Sequence, residues 1–156
     1  MIRKIVSGGQ TGVDRAALNW AIEHGIPHGG WCPAGRRAED GVIPARYRLE
    51  ETPGRNYAQR TRWNVRDSDA TLIISLSPEL SSGSLATRQW TEKMEHPCLH
   101  LYPGDEWRER MAAFFEATQV RILNVAGPRS SGAPGIEQFV HEVLSTLDIL
   151  EKNHAE

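Results

Sequence analysis

Three glycine-rich turns, each lying between an apolar strand-like run and an amphipathic helix, constrain this chain more than any other feature. They are Ser7-Gly8-Gly9-Gln10-Thr11-Gly12, Ser81-Ser82-Gly83-Ser84 and Gly127-Pro128-Arg129-Ser130-Ser131-Gly132. A turn of this kind at a helix start leaves backbone N–H groups unpaired. Those groups and the helix dipole favour anions, above all phosphate. One such turn is a weak signal. Three at corresponding positions of one small domain predict a single nucleotide-like ligand gripped from several sides.

The segments around the turns alternate in type. Residues 2–7 read as a buried strand, and Val13, Ala16, Ala17, Trp20, Ala21 and His24 recur at helical spacing over 12–24. Residues 30–32 form a weak second strand, and 71–76 are a continuous β-rich run. A helix is predicted over 85–95, stopped by Pro97. Residues 98–102 follow as a strand, and Pro103-Gly104-Asp105 turns into a helix whose inner face carries Trp107, Met111, Phe114 and Phe115. The last strand spans 122–126, and the closing helix spans 134–150. This alternation predicts an α/β fold: one doubly wound domain with a mostly parallel, five-stranded sheet covered by helices on both faces. Right-handed crossovers put all three glycine turns on the C-terminal edge of that sheet.

The length of 156 residues suits a single domain. No apolar run is long enough to cross a bilayer and no signal peptide is visible, so the two cysteines, Cys32 and Cys98, are expected as reduced core thiols in a cytoplasmic protein. A net charge of −2 argues against bulk nucleic-acid binding. The cations are unevenly placed, however: 8 of the 15 arginines fall in the 34–67 stretch, which interrupts the strand–helix alternation. Arginine forks onto phosphates, so this insert is either a salt-bridged surface or part of the ligand site. Its second half, 56–65, suits a short helix.

A family resemblance rests on the same motifs. Gly8-Gly9-Gln10-Thr11-Gly12-Val13-Asp14-Arg15-Ala16-Ala17 resembles a turn of the DNA-processing protein A family. That family belongs to a Rossmann-like superfamily shared with the lysine-decarboxylase-like phosphoribohydrolases. Ser82-Gly83-Ser84-Leu85 with Thr87 resembles its second signature. Leu123-Asn124-Val125-Ala126-Gly127-Pro128-Arg129 resembles the strand that normally opens the fold, so the chain looks circularly permuted. Cys32-Pro33-Ala34-Gly35-Arg36-Arg37-Ala38-Glu39-Asp40-Gly41, then Glu51-Thr52-Pro53, Tyr57, Arg60-Thr61 and Trp63-Asn64-Val65-Arg66-Asp67-Ser68-Asp69, are similar to the insert of the molybdenum carrier family. The resemblance implies a Rossmann-like sheet of order 2-1-5-3-4, numbering the five strands along the chain. It also implies a homo-oligomer (dimer or tetramer), to whose interface Trp90 and Trp107 are candidates if they do not pack in the core.

The candidate ligand-binding residues are Gly8, Gly9, Gln10, Thr11, Gly12 and Asp14 from the first turn, and Ser82, Gly83, Ser84 and Thr87 from the second. The third turn contributes Gly127 and Arg129, and the insert Arg36, Arg37 and Asn64. Asp14 either contacts a ribose or pterin ring or caps its helix. The phosphoribohydrolase relatives carry a catalytic Glu whose position falls here on Gln89 or Trp90, neither of which substitutes for a carboxylate. The sequence therefore favours binding without catalysis. The partner is a phosphorylated small molecule, with molybdenum cofactor the cargo that the resemblance implies. The alternative is a nucleotide N-glycoside hydrolase using Asp14. The six histidines show no ligand spacing with one another or with the cysteines, so no protein-ligated metal is expected.

Overall fold

In chain order, the computed structural model has β1 (Lys4–Val6), α1 (Val13–Glu23), β2 (His28–Gly29), β3 (Trp31–Cys32), β4 (Arg37–Ala38), β5 (Gly41–Val42), β6 (Glu50–Glu51) and α2 (Tyr57–Arg66). Then follow β7 (Ala70–Ile74), α3 (Ser82–Lys93), β8 (Cys98–Leu101), α4 (Trp107–Ala117), β9 (Ile122–Ala126) and α5 (Ile136–Ala155). The structure describes residues 1–104 and 106–155. The turn expected at Pro103-Gly104-Asp105 therefore ends on a residue outside the described ones.

The main sheet runs β2-β1-β9-β7-β8, with every neighbouring pair parallel. The order along the sheet is that of a Rossmann-like fold, but one member differs in detail from expectation. The edge strand is His28–Gly29, not 30–32. Gly30, at φ +131, leads the chain out of the sheet, and a Cβ there would stand 2.3 Å from the carbonyl oxygen of Ser7. Trp31 and Cys32 pair instead with Glu50 and Glu51, in a separate two-stranded ladder.

Alternation along the strands sorts two faces. Ile5, Leu72, Ile74, Leu123 and Val125 join the main core with the inner faces of α1, α4 and α5. Trp107 belongs to this core, edge-on to Phe139 with ring centroids 5.5 Å apart. On the same strands Thr71 and Asn124, register partners, share a buried hydrogen bond of 3.1 Å. Helix α2 packs against α3 and β3. Its start at Asn56 is capped, the Asn56 side chain accepting from the Gln59 N–H.

The first half of the insert is ordered by a second, smaller core of Leu18, Cys32, Ile43 and Tyr47. It includes the β4–β5 hairpin. The Cys32 thiol is buried and free, and burial raises its pKa. Among the described residues no helix is long and apolar enough to cross a membrane.

Candidate functional site

Because β1, β9 and β7 are adjacent, the turns that follow them converge on one end of the sheet. Between them lies a cavity of about 510 Å³, walled on its remaining side by α2. Gly8, Gln10 and Asp14 line it from the first turn, Ser82, Gly83, Ser84 and Thr87 from the second, and Gly127 and Arg129 from the third. Asn64 lines it from α2.

The second turn is largely helical. Helix α3 starts at Ser82 rather than Leu85, so Ser82, Gly83 and Ser84 form its first turn. Ser81 stands at the cap but makes no side-chain capping bond; its hydroxyl donates to Ser84 Oγ at 3.2 Å. Among the described residues no side chain accepts from the first-turn N–H groups, which adjoin the cavity. Thr87 donates its hydroxyl to the Gly83 carbonyl at 3.2 Å. A Cβ on Gly83 would meet nothing within 4 Å, which leaves the open side of this turn to a ligand.

The first turn supplies a buried carboxyl. Asp14 is buried, with 6% of its surface exposed. Its Oδ2 accepts from the Gln10 N–H at 3.1 Å and from Arg60 Nη1 at 3.2 Å. Burial pushes the Asp14 carboxyl above its ordinary value, and Arg60 and the Gln10 amide only partly offset that. Gln10 Oε1 accepts from the N–H groups of Thr11 and Glu39, tying the turn to the insert.

Five expected residues stand elsewhere. Gly9 and Gly12 have positive φ and serve packing: Gly9 faces Leu49 and Ile43, and Gly12 faces the third turn. Thr11 accepts from the Ser130 N–H and donates to Glu39 Oε2 at 2.9 Å. Arg36 donates to the carbonyls of Ile43, Pro44, Tyr47 and Leu49 and so knots the insert. Arg37 lies over the Tyr57 ring at 5.2 Å and does not line the cavity. Asn64, although at the cavity, is engaged with the Trp31 backbone, accepting from its N–H at 2.8 Å and donating to its carbonyl at 3.0 Å. The third turn is held by Glu39, which accepts from Ser131 Oγ at 3.1 Å and lies 3.9 Å from Arg129 Nε.

The profile of the circularly permutated YpsA SLOG family matches residues 5–147. The chain belongs to that family. It is also similar to the crystal structure of a "Putative molybdenum carrier protein" from Syntrophus aciditrophicus SB, with 45% identity over 93% of this chain and 94% of that one and a TM-score of 0.88. A comparison with curated proteins finds no match.

In this SLOG-family domain Arg60, Tyr57 and Thr61 also stand on the cavity side of α2; the sequence brought them in only through the resemblance of the insert, not as ligand contacts. Their spacing with Asn64 puts them on one helical face, a signal that the sequence did carry. Gln89, Trp90 and Glu92 do not line the cavity, and among the described residues Asp14 is its one lining carboxylate. Trp90 is half-buried beneath Arg62 and Lys93. No group of three or more His, Cys, Asp or Glu side chains suited to a metal occurs among the described residues.

Proposed function

We propose that the chain is a carrier or sensor that binds one phosphorylated small molecule in this cavity without transforming it. The observation that carries the reading is the convergence of three glycine turns, from three adjacent parallel strands, on a space of about 510 Å³. That volume lies within the range of small-molecule sites and well above what a lone phosphate fills. Open N–H groups at the start of α3, with Arg129 lining the same cavity, suit an anionic group. Molybdenum cofactor, a phosphorylated pterin that brings its own metal, is the candidate cargo, in keeping with the name of the 45% identical relative. A nucleotide is the other.

Denaturing mass spectrometry of the purified protein tests the reading most directly. A co-purified pterin phosphate or nucleotide, lost in Gly83→Leu and reduced in Arg129→Ala, is the expected result. Tight retention of the same ligand by Gly83→Leu would move the ligand out of this cavity.

A second reading, nucleotide N-glycoside hydrolysis, is favoured by one observation: Asp14 is a buried carboxyl with a raised pKa inside the cavity. Release of free base from a nucleoside monophosphate, abolished by Asp14→Asn, would establish it in place of the carrier. Self-association as a dimer or tetramer and a cytoplasmic location belong to the first reading. Light scattering and fractionation test them.

A further inference from the structure

We infer that Arg60 sets the specificity of the site for a phosphate ester, gripping it with the edge of the guanidinium that the protein leaves open. The inference rests on the binding reading above and adds a residue that lies outside all three glycine turns.

Arg60 reaches the cavity from α2, and its side chain is only 14% exposed. Nη1 donates to the Gly8 carbonyl at 2.9 Å and to Asp14 Oδ2 at 3.2 Å, which engages both of its hydrogens. No acceptor among the described residues takes the N–H groups of Nε and Nη2. The other arginines around the site differ. Arg15 is committed to Asp40 through two bonds, Arg36 to four carbonyls, and Arg129 is 56% exposed. Arg60 alone among these four combines a shielded position with unused donors. A phosphate offers oxygens spaced for bidentate contact with such a planar fork.

Two neighbours position it. Gly8 does not have a positive φ, so the turn itself does not demand glycine there. A Cβ on Gly8 would, however, stand 2.1 Å from Arg60 Nη1. Glycine at this position lets the guanidinium lie across the turn. Asp14 then fixes Nη1 and balances its charge, while the Tyr57 ring, 5.2 Å from the guanidinium carbon, flanks it.

The test is calorimetric binding of AMP and of adenosine, to the wild-type chain and to Arg60→Gln, Arg60→Lys and Gly8→Ala. The wild type is expected to prefer AMP. Arg60→Gln lowers AMP affinity on the order of tenfold or more and removes most of that preference. Gly8→Ala lowers it in the same direction although the arginine remains, and Arg60→Lys does not restore it, because one ammonium cannot span both anchors and the ester. Since Arg60→Gln leaves Asp14 without its counter-ion, the double variant Asp14→Asn/Arg60→Gln repeats the measurement without a buried unpaired charge. An unchanged AMP-to-adenosine ratio in both variants overturns the role of Arg60 and leaves the binding reading standing. A wild-type chain that binds AMP no better than adenosine overturns the phosphate preference. A wild-type chain that binds neither at millimolar concentration overturns the nucleotide-like binding reading itself, and the inference with it.

Discussion

Gly12 and Pro128 stand in backbone contact, and through them the first and third glycine turns become one surface. The Val13 N–H donates to the Pro128 carbonyl at 3.3 Å, and a Cβ on Gly12 would lie 2.5 Å from that same oxygen. Gly12 also sits at φ +79 and ψ −126, a backbone conformation that side chains disfavour strongly. Strain and collision act together, so Gly12→Ala is expected to cost at least about 3 kcal/mol of stability. Gly132 is the control. It has no atom within 4 Å of an added Cβ, and Gly132→Ala is expected to stay within about 0.5 kcal/mol of wild type. Urea denaturation midpoints of the two variants check the contrast; equal midpoints would mean that the turns do not lean on each other.

The same contact explains which parts of the site the sequence exposed. Three apolar runs, each followed by glycine and a helical period, announce parallel strands and place the turns at their ends, while the adjacency of the three strands is what the family resemblance implies. They do not reveal which side of a turn faces the ligand. Gly8 and Gln10 face inward, while Gly9 and Thr11, interleaved with them, pack outward on the insert and the third turn. The edge strand lies two residues before the expected 30–32 for another reason. Periodicity needs length, and the exit of the chain from the sheet is decided by one steric fact at Gly30. Arg60 was one arginine among eight in the 34–67 stretch. Its spacing with Tyr57, Thr61 and Asn64 marks one helical face, but that this face turns toward the cavity depends on how α2 packs against α3, which is a tertiary property.

Asn64 makes a separate prediction, because one carboxamide satisfies both backbone groups of Trp31. Asn64→Ala leaves an N–H and a carbonyl of the β3 strand unpaired and is expected to cost roughly 1–3 kcal/mol. Asn64→Asp keeps the acceptor for the Trp31 N–H but sets a carboxylate oxygen against the Trp31 carbonyl, so it does not recover the loss. Hydrogen exchange at the Trp31 amide should quicken in Asn64→Ala and stay slower in Asn64→Asp.

Two carboxyls should pull the pH dependence of stability in opposite directions. The Asp14 carboxyl is raised above its ordinary 3.8, chiefly by burial, so the folded chain holds this proton more tightly than the unfolded chain. Its contribution is complete below pH 3.8 and is lost as pH rises through the folded-state value. Asp40 is lowered from 3.8, chiefly by its hydrogen bonds from Arg15. Its contribution is present above 3.8 and is lost as pH falls through the lower folded-state value. Thermal melts from acidic to neutral pH should show Asp14→Asn removing a decline on the higher side and Asp40→Asn flattening the acid limb. The slope is the readout, since Asp14→Asn also unpairs Arg60 and shifts the whole curve. An Asp14→Asn curve parallel to wild type would contradict the raised carboxyl.

Arg36 separates scaffolding from ligand contact within the arginine-rich insert. Its guanidinium donates to the carbonyls of Pro44 and Tyr47 at 2.8 Å each and reaches those of Ile43 and Leu49 at 3.1 and 3.4 Å. One planar cation thus closes the loop that carries Ile43 and Tyr47 into the smaller core. Removing it in Arg36→Ala leaves four carbonyls to find water, and a lysine, with one nitrogen, cannot reach acceptors spread over seven residues. Both variants should be cleaved faster by a nonspecific protease between residues 43 and 49. Ligand affinity should change far less than in Arg129→Ala, because Arg36 does not line the cavity and Arg129 does. Loss of affinity in Arg36→Lys equal to that in Arg129→Ala, with proteolysis unchanged, would instead place Arg36 on the ligand and leave the ordering of the insert to its apolar contacts alone.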